Sequence, residues 1–259
     1  MYGGNNTALG TSSLQGDSFT NATCDYNNDP TIEHDAAAAI IAGLGVSGTG
    51  IPLGAYIASI NSGTSFELSA STTGGSVTNG TLTFYSRVQN TVAIGYGAGL
   101  NARSCDHNVF VGAAAAGLGV VTGDANVCVG YSAGYDLTSG CCNVVIGKDA
   151  ALNATSTASS VYIGASAGGL GIITGANNTV IGNTAGYDLT SGASNVLIGT
   201  QAGANLTAGV NNIAIGHGAL DAADTASARH ACIAIGLDAL GGQTAAVENC
   251  VAIGTYALA

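Results

Sequence analysis

Asn90 to Gly99 reads NTVAIGYGAG, and the rest of the chain is organised around that phrase. Its first glycine recurs at Gly95, Gly112, Gly130, Gly147, Gly164, Gly182, Gly199, Gly216, Gly236 and Gly254, in steps of 17, 18, 17, 17, 18, 17, 17, 20 and 18 residues. A nearly fixed period of this length is the signature of a solenoid, in which each repeat is one coil stacked on the next.

Three positions before each glycine stand Val92, Val109, Val127, Val144, Val161, Thr179, Val196, Ile213, Ile233 and Val251. One position before it stand Ile94, Val111, Val129, Ile146, Ile163, Ile181, Ile198, Ile215, Ile235 and Ile253. β-Branched residues at period two predict one face of a short strand, here read as the face that fills the coil. The residues between them are Ala93, Phe110, Cys128, Val145, Tyr162, Val180, Leu197, Ala214, Ala234 and Ala252. They are also apolar, so both faces of the strand need cover, and these ten are expected to form an oligomer interface. Three residues after each glycine comes an alanine, from Ala98 to Ala257, which marks a corner of close backbone approach. Ala113–Gly147 also matches Ala165–Gly199 at 21 of 35 positions, an echo of 52 residues or three coils.

The motifs NTVAIGYGAG, NNTVIGNTAG and NNIAIGHGAL resemble the head repeats of YadA-type trimeric adhesins and related repeats in bacteriophage tail fibres and other virion proteins. That resemblance implies a left-handed parallel β-roll assembled as a homotrimer. The fold class expected is all-β: a parallel β-helix or β-roll of 17–18-residue coils with a small inserted antiparallel β-sandwich-like domain. Asn5 to Leu14, NNTALGTSSL, is a further copy of the repeat, with Gly10 as its glycine and Ser13 in the alanine place. The expected organisation is a repeat segment at 1–19, a β-domain insertion at 20–87 and a ten-coil domain at 88–259. Within the insertion, strands are expected near Ala39–Val46, Ala55–Ile60, Thr64–Ala70 and Thr81–Tyr85, separated by GTGIP, NSG and TTGG turns. Val46 to Ala70, VSGTGIPLGAYIASINSGTSFELSA, resembles a small β-sandwich module of phage fibre and decoration proteins.

Composition narrows the function classes. Only 7% of residues are charged and the net charge is −11, from 15 acids against Arg87, Arg103, Lys148 and Arg229. Four scattered cations make no phosphate-binding stripe, which excludes nucleic acid as a partner and disfavours anionic membranes. So few charges also make extensive subunit contact the simplest way to cover the surface. The seven cysteines, Cys24, Cys105, Cys128, Cys141, Cys142, Cys232 and Cys250, form no CxxC pair and read as reduced core residues of a chain made in a reducing cytosol. An inter-subunit disulfide at Cys141 or Cys142 stays open. The start MYGGNNTALG lacks the pattern of a secretory signal, and no stretch has the length of a membrane span.

Catalytic signals are weak. His34, His107, His217 and His230 have no ligand spacing, and no GxSxG, P-loop or strand-following GxGxxG is present. Asp136 and Asp188 occupy equivalent places in the two YDLTSG copies and could offer carboxylates to calcium, although an aspartate bonding its own turn explains both. A hexapeptide-repeat acyltransferase needs an aliphatic residue every sixth position, whereas Ile94 is followed by Leu100 and Asp106. An ice-binding solenoid would need regular threonines between the Val and Ile positions. The expectation is therefore a protein without catalytic or cofactor sites: a virion component assembled in a host cytoplasm, acting as a trimeric tail fibre, spike or capsid-decorating protein. Its partners would be other virion proteins and a host surface receptor or glycan. The rival is an extracellular filament or adhesin subunit.

Overall fold

The computed structural model describes residues 6–10, 18–37, 39–85, 87–169, 171–221, 230–242 and 248–259. Asn5, Ser13, Leu14 and Arg229, named above, lie outside the described residues. Two sheets carry the fold. The larger is parallel and eleven-stranded, in the order β1 (Thr7–Leu9), β8 (Val92–Ile94), β9 (Val109–Val111), β10 (Val127–Val129), β11 (Val144–Ile146), β12 (Val161–Ile163), β13 (Thr179–Ile181), β14 (Val196–Ile198), β15 (Ile213–Ile215), β16 (Ile233–Ile235) and β17 (Val251–Ile253). Every pair is in register, so Val127 lies over Val144 and Cys128 over Val145 all the way along the stack. Chain order equals spatial order from β8 on, as in a solenoid. The N-terminal copy joins the same sheet, Thr7 pairing with Val92 and Leu9 with Ile94.

The repeated glycine is explained by what surrounds it. Gly147 has φ 134°, a torsion that side chains rarely adopt, and a Cβ there would stand 2.5 Å from the carbonyl oxygen of Gly164 one coil further on. Glycine columns thus let successive corners stack carbonyl on Cα. The alanine three residues on is buried in each coil from Ala98 to Ala239 and half-buried at Ala257.

The orientation of the strands corrects the sequence expectation. Ala93, Phe110, Cys128, Val145, Tyr162, Val180, Leu197, Ala214, Ala234 and Ala252 point into the coil and form the protomer's own core, all at 2% exposure or less. The β-branched residues on either side face outward. The same parity buries the residue before each strand from β8 to β16, and from β9 to β15 a polar ladder there replaces the hydrocarbon core. Asn108, Asn126, Asn143, Ser160, Asn178, Asn195 and Asn212 stack on successive coils. Asn143 donates from Nδ2 to Asn126 Oδ1 at 3.0 Å and to the Thr157 carbonyl at 2.8 Å, and its Oδ1 accepts the Ser160 N–H at 3.0 Å. The amide can fill this site because donor and acceptor are both used, which removes the penalty of burying it.

The second sheet is antiparallel and half-barrel shaped, in the order β4 (Gly45–Ser47), β7 (Ser76–Tyr85), β2 (Phe19–Asn27), β3 (Thr31–Glu33), β6 (Ser65–Leu68), β5 (Ile57–Ser62). Its core holds Cys24, Ile32, Val46, Ile57, Phe66, Leu82 and Phe84, with Phe66 edge-on to Phe84 at 5.7 Å between centroids. The strands expected near Ala55–Ile60, Thr64–Ala70 and Thr81–Tyr85 correspond to β5, β6 and the end of β7. Of Ala39–Val46 only the end pairs, as β4, and the strands β2 and β3 were not foreseen. Where the two sheets join, the Arg87 N–H donates to the Arg103 carbonyl at 2.6 Å and the Arg87 guanidinium lies 4.2 Å over the Tyr56 ring.

Candidate functional site

With the middle residues inside, the outer face of the parallel sheet becomes a continuous ladder of Val and Ile from β8 to β17, interrupted at Thr179 and continued on β1 by Thr7 and Leu9. Ile94, Ile146 and Ile215 are each 37% exposed in the isolated chain. Eleven strands at roughly 4.8 Å per step make this stripe about 50 Å long, and the alternate residues of a three-residue strand make it about 7 Å wide. A stripe of these dimensions, roughly 350 Å², is comparable to the largest apolar patch of an ordinary monomer, and such patches are often functional. The ten residues expected at an oligomer interface lie inside the protomer, and the set beside them forms the outer face of the sheet.

The other residues singled out in the sequence do not converge. His107 Nε2 is 3.4 Å from Asn90 Nδ2, His217 Nδ1 is 3.9 Å from Asp238 Oδ1, and His230 Nδ1 accepts the Val210 N–H at 3.3 Å. Lys148 pairs with its neighbour Asp149. Asp136 is half-buried, which pushes its carboxyl upward, and its N–H is bonded to the Leu152 carbonyl. The Asp188 N–H is bonded in the same way to the Ala204 carbonyl, each partner lying on the next coil. Among the described residues no three His, Cys, Asp or Glu side chains are grouped so as to hold a metal ion. No disulfide joins any of the seven cysteines within the chain. Burial pushes Cys128 and Cys105 up to about 12 and Cys24 to about 11, so these thiols are protonated and inert, whereas Cys142 is exposed.

A second surface lies on the inserted domain. The register of its sheet sets Asp25 on β2 opposite Glu33 on β3, Glu33 opposite Ser65 on β6, and Ser65 opposite Ser62 on β5. The Asn79 N–H from β7 donates to Asp25 Oδ1 at 2.6 Å. Five strands thus present one polar row, and a cleft of about 490 Å³ runs along it, lined also by Thr23, His34, Asp35 and Thr64. Asp25 and Glu33 also line a second cleft of about 440 Å³, with Tyr26, Asp29 and Thr31. No motif announces this site, because its members come from separate strands.

Comparison with known protein families, curated proteins and solved structures finds no match for this chain.

Proposed function

We propose that the chain is a structural protein of a virus particle: a homotrimeric fibre, spike or capsid-decorating subunit of the kind found in bacteriophages. The observation that carries this reading is the Val/Ile stripe. It is long, regular, apolar and narrow, and its parent protomer has a complete core without it. A narrow stripe suits convergence on a threefold axis, where each protomer meets two neighbours along one edge, better than the broad plane of a two-fold dimer. Burying β-branched side chains contributes roughly 25 cal/mol per Å² of apolar area removed from water, summed over eleven rungs. The resemblance of NTVAIGYGAG and its copies to trimeric adhesin heads and phage fibre repeats points the same way. The inserted domain interrupts the repeat and is the element suited to attachment or docking. Deleting Thr20–Ser86 is expected to leave a folded oligomer that no longer docks or binds; unchanged particle incorporation and binding would contradict the assignment.

The rival reading is a self-assembling filament or adhesin subunit, in which coils of this kind stack end to end from chain to chain. Electron microscopy separates the two: short discrete trimers support the fibre or decoration reading, and endless fibres formed by this chain alone overturn it.

A further inference from the structure

We infer that Cys141 and Cys142 form a two-thiolate binding site for a soft, low-coordinate cation of the monovalent copper class. The site lies on the solenoid, on the corner that precedes β11, and does not depend on the oligomer proposed above.

The fold presents these two cysteines differently from the other five. Cys24, Cys105, Cys128 and Cys232 are buried, and the half-buried Cys250 turns its Sγ to the Glu248 carbonyl at 3.5 Å. Cys141 is half-buried, Cys142 is exposed, and they are consecutive. Their backbone is held by the coils on both sides. The Cys142 N–H donates to the Asp124 carbonyl at 3.0 Å, and the Cys141 carbonyl accepts the Ser159 N–H at 3.0 Å. Cys142 has φ 60°, the left-handed torsion that Ala125 and Ser159 adopt at the same corner of the neighbouring coils. The two side chains also meet. The Cys141 thiol is hydrogen-bonded to Cys142, and this bond, with slight desolvation and the nearby Cys142 and Asp124, pushes its pKa up. Two sulfurs therefore stand together on a rigid corner within reach of solvent.

The spacing decides what the pair can do. Consecutive Cα atoms across a trans peptide are about 3.8 Å apart, below the roughly 4.4 Å at which unstrained disulfides begin. The pair therefore resists closing on itself and stays a dithiol. A cation inserted between the sulfurs lengthens the bridge by two metal–sulfur bonds and removes that constraint. Thiolates are soft ligands and select monovalent copper, a closed-shell ion satisfied by two of them. A structural zinc site needs four protein ligands, and among the described residues no three His, Cys, Asp or Glu side chains are grouped to hold a metal ion. On binding, both S–H bonds break, two copper–sulfur bonds form and two protons pass to solvent, with no change of oxidation state. Affinity consequently rises with pH.

The test uses the intact, reduced protein without oxygen, titrated with monovalent copper against the chelator bicinchoninate. One copper per chain is expected to leave the chelator, and an equal concentration of zinc should not compete. Affinity should strengthen by roughly tenfold per pH unit for each proton displaced, measured between about pH 6 and 8. Cys141→Ser and Cys142→Ser should each lose the tight site, while Cys250→Ser keeps it, and all three should retain the parent's melting temperature and oligomer mass. Alkylating the exposed Cys142 with iodoacetamide before titration should give the same loss without a substitution. The inference is overturned if no copper leaves the chelator, if tight binding survives alkylation or the Cys141→Ser/Cys142→Ser double variant, or if zinc competes equally. A stoichiometry below one copper per chain also overturns it, because the metal would then lie between chains.

Discussion

Replacing Asn143 by alanine removes the centre of the asparagine ladder. The Ser160 N–H loses its acceptor, the Thr157 carbonyl loses a donor at 2.8 Å, and both lie inside the coil. Asn126 Oδ1 keeps the Asn143 N–H at 3.1 Å, so the damage is confined to one side of the rung. Each unsatisfied buried backbone group costs about 1–3 kcal/mol, and the lost amide leaves a small void, which together give about 4 kcal/mol. For a chain of this size that corresponds to a melting point lower by roughly 8–16 °C. Asn143→Ser should recover about half of the loss, because Ser160 already shows how a hydroxyl serves the ladder: its Oγ accepts the Asn178 N–H at 3.1 Å. Differential scanning calorimetry on the two variants, with Ser191→Ala at an exposed turn as control, measures the series. An Asn143→Ala melting point within 2 °C of the parent, or a serine variant no better than alanine, would refute the ladder's energetic role.

Gly147→Ala should cost about 3 kcal/mol or more and lower soluble yield, since the new Cβ meets the Gly164 carbonyl and φ 134° is closed to it; a melting point equal to the parent's would contradict this. Leu197→Asp buries a carboxylate in the coil and should abolish folding, as read by circular dichroism, whereas Ile146→Asp on the outward face should leave the strand signal intact. Native labelling with a thiol reagent at pH 8 should modify Cys142 quickly and spare Cys24, Cys105 and Cys128 until the chain is unfolded; rapid labelling of Cys128 in the folded protein would mean that the coil opens.

The solenoid was legible in the sequence because its determinants are local and repeated: the glycine torsion, the small corner alanine and the period-two strand appear in every copy. Which face points inward was not legible. Both alternating sets are apolar, so hydropathy cannot choose between Val92 with Ile94 and Ala93. The deciding residue is the asparagine two places before the middle residue, as Asn108 precedes Phe110. It shares the parity of the core and enters it only because the coils above and below supply partners. In the inserted domain, FTNATCDYN (Phe19–Asn27) is rich in Asn, Thr and Asp and reads as loop, yet β7 pairs with it from Phe19 with Phe84 to Asn27 with Ser76, with register shifts on both sides of Cys24. The cleft above it is equally illegible, since Asp25, Glu33, Ser62 and Asn79 meet only through sheet register.

The central claim is that the outward Val/Ile stripe joins three protomers around a common axis. Sedimentation equilibrium of the parent protein and of Ile146→Asp tests it most directly. A parent of three times the 25.0 kDa chain is expected, with a folded Ile146→Asp variant shifted to a single chain; a stable monomeric parent, or a variant that stays trimeric, would contradict it.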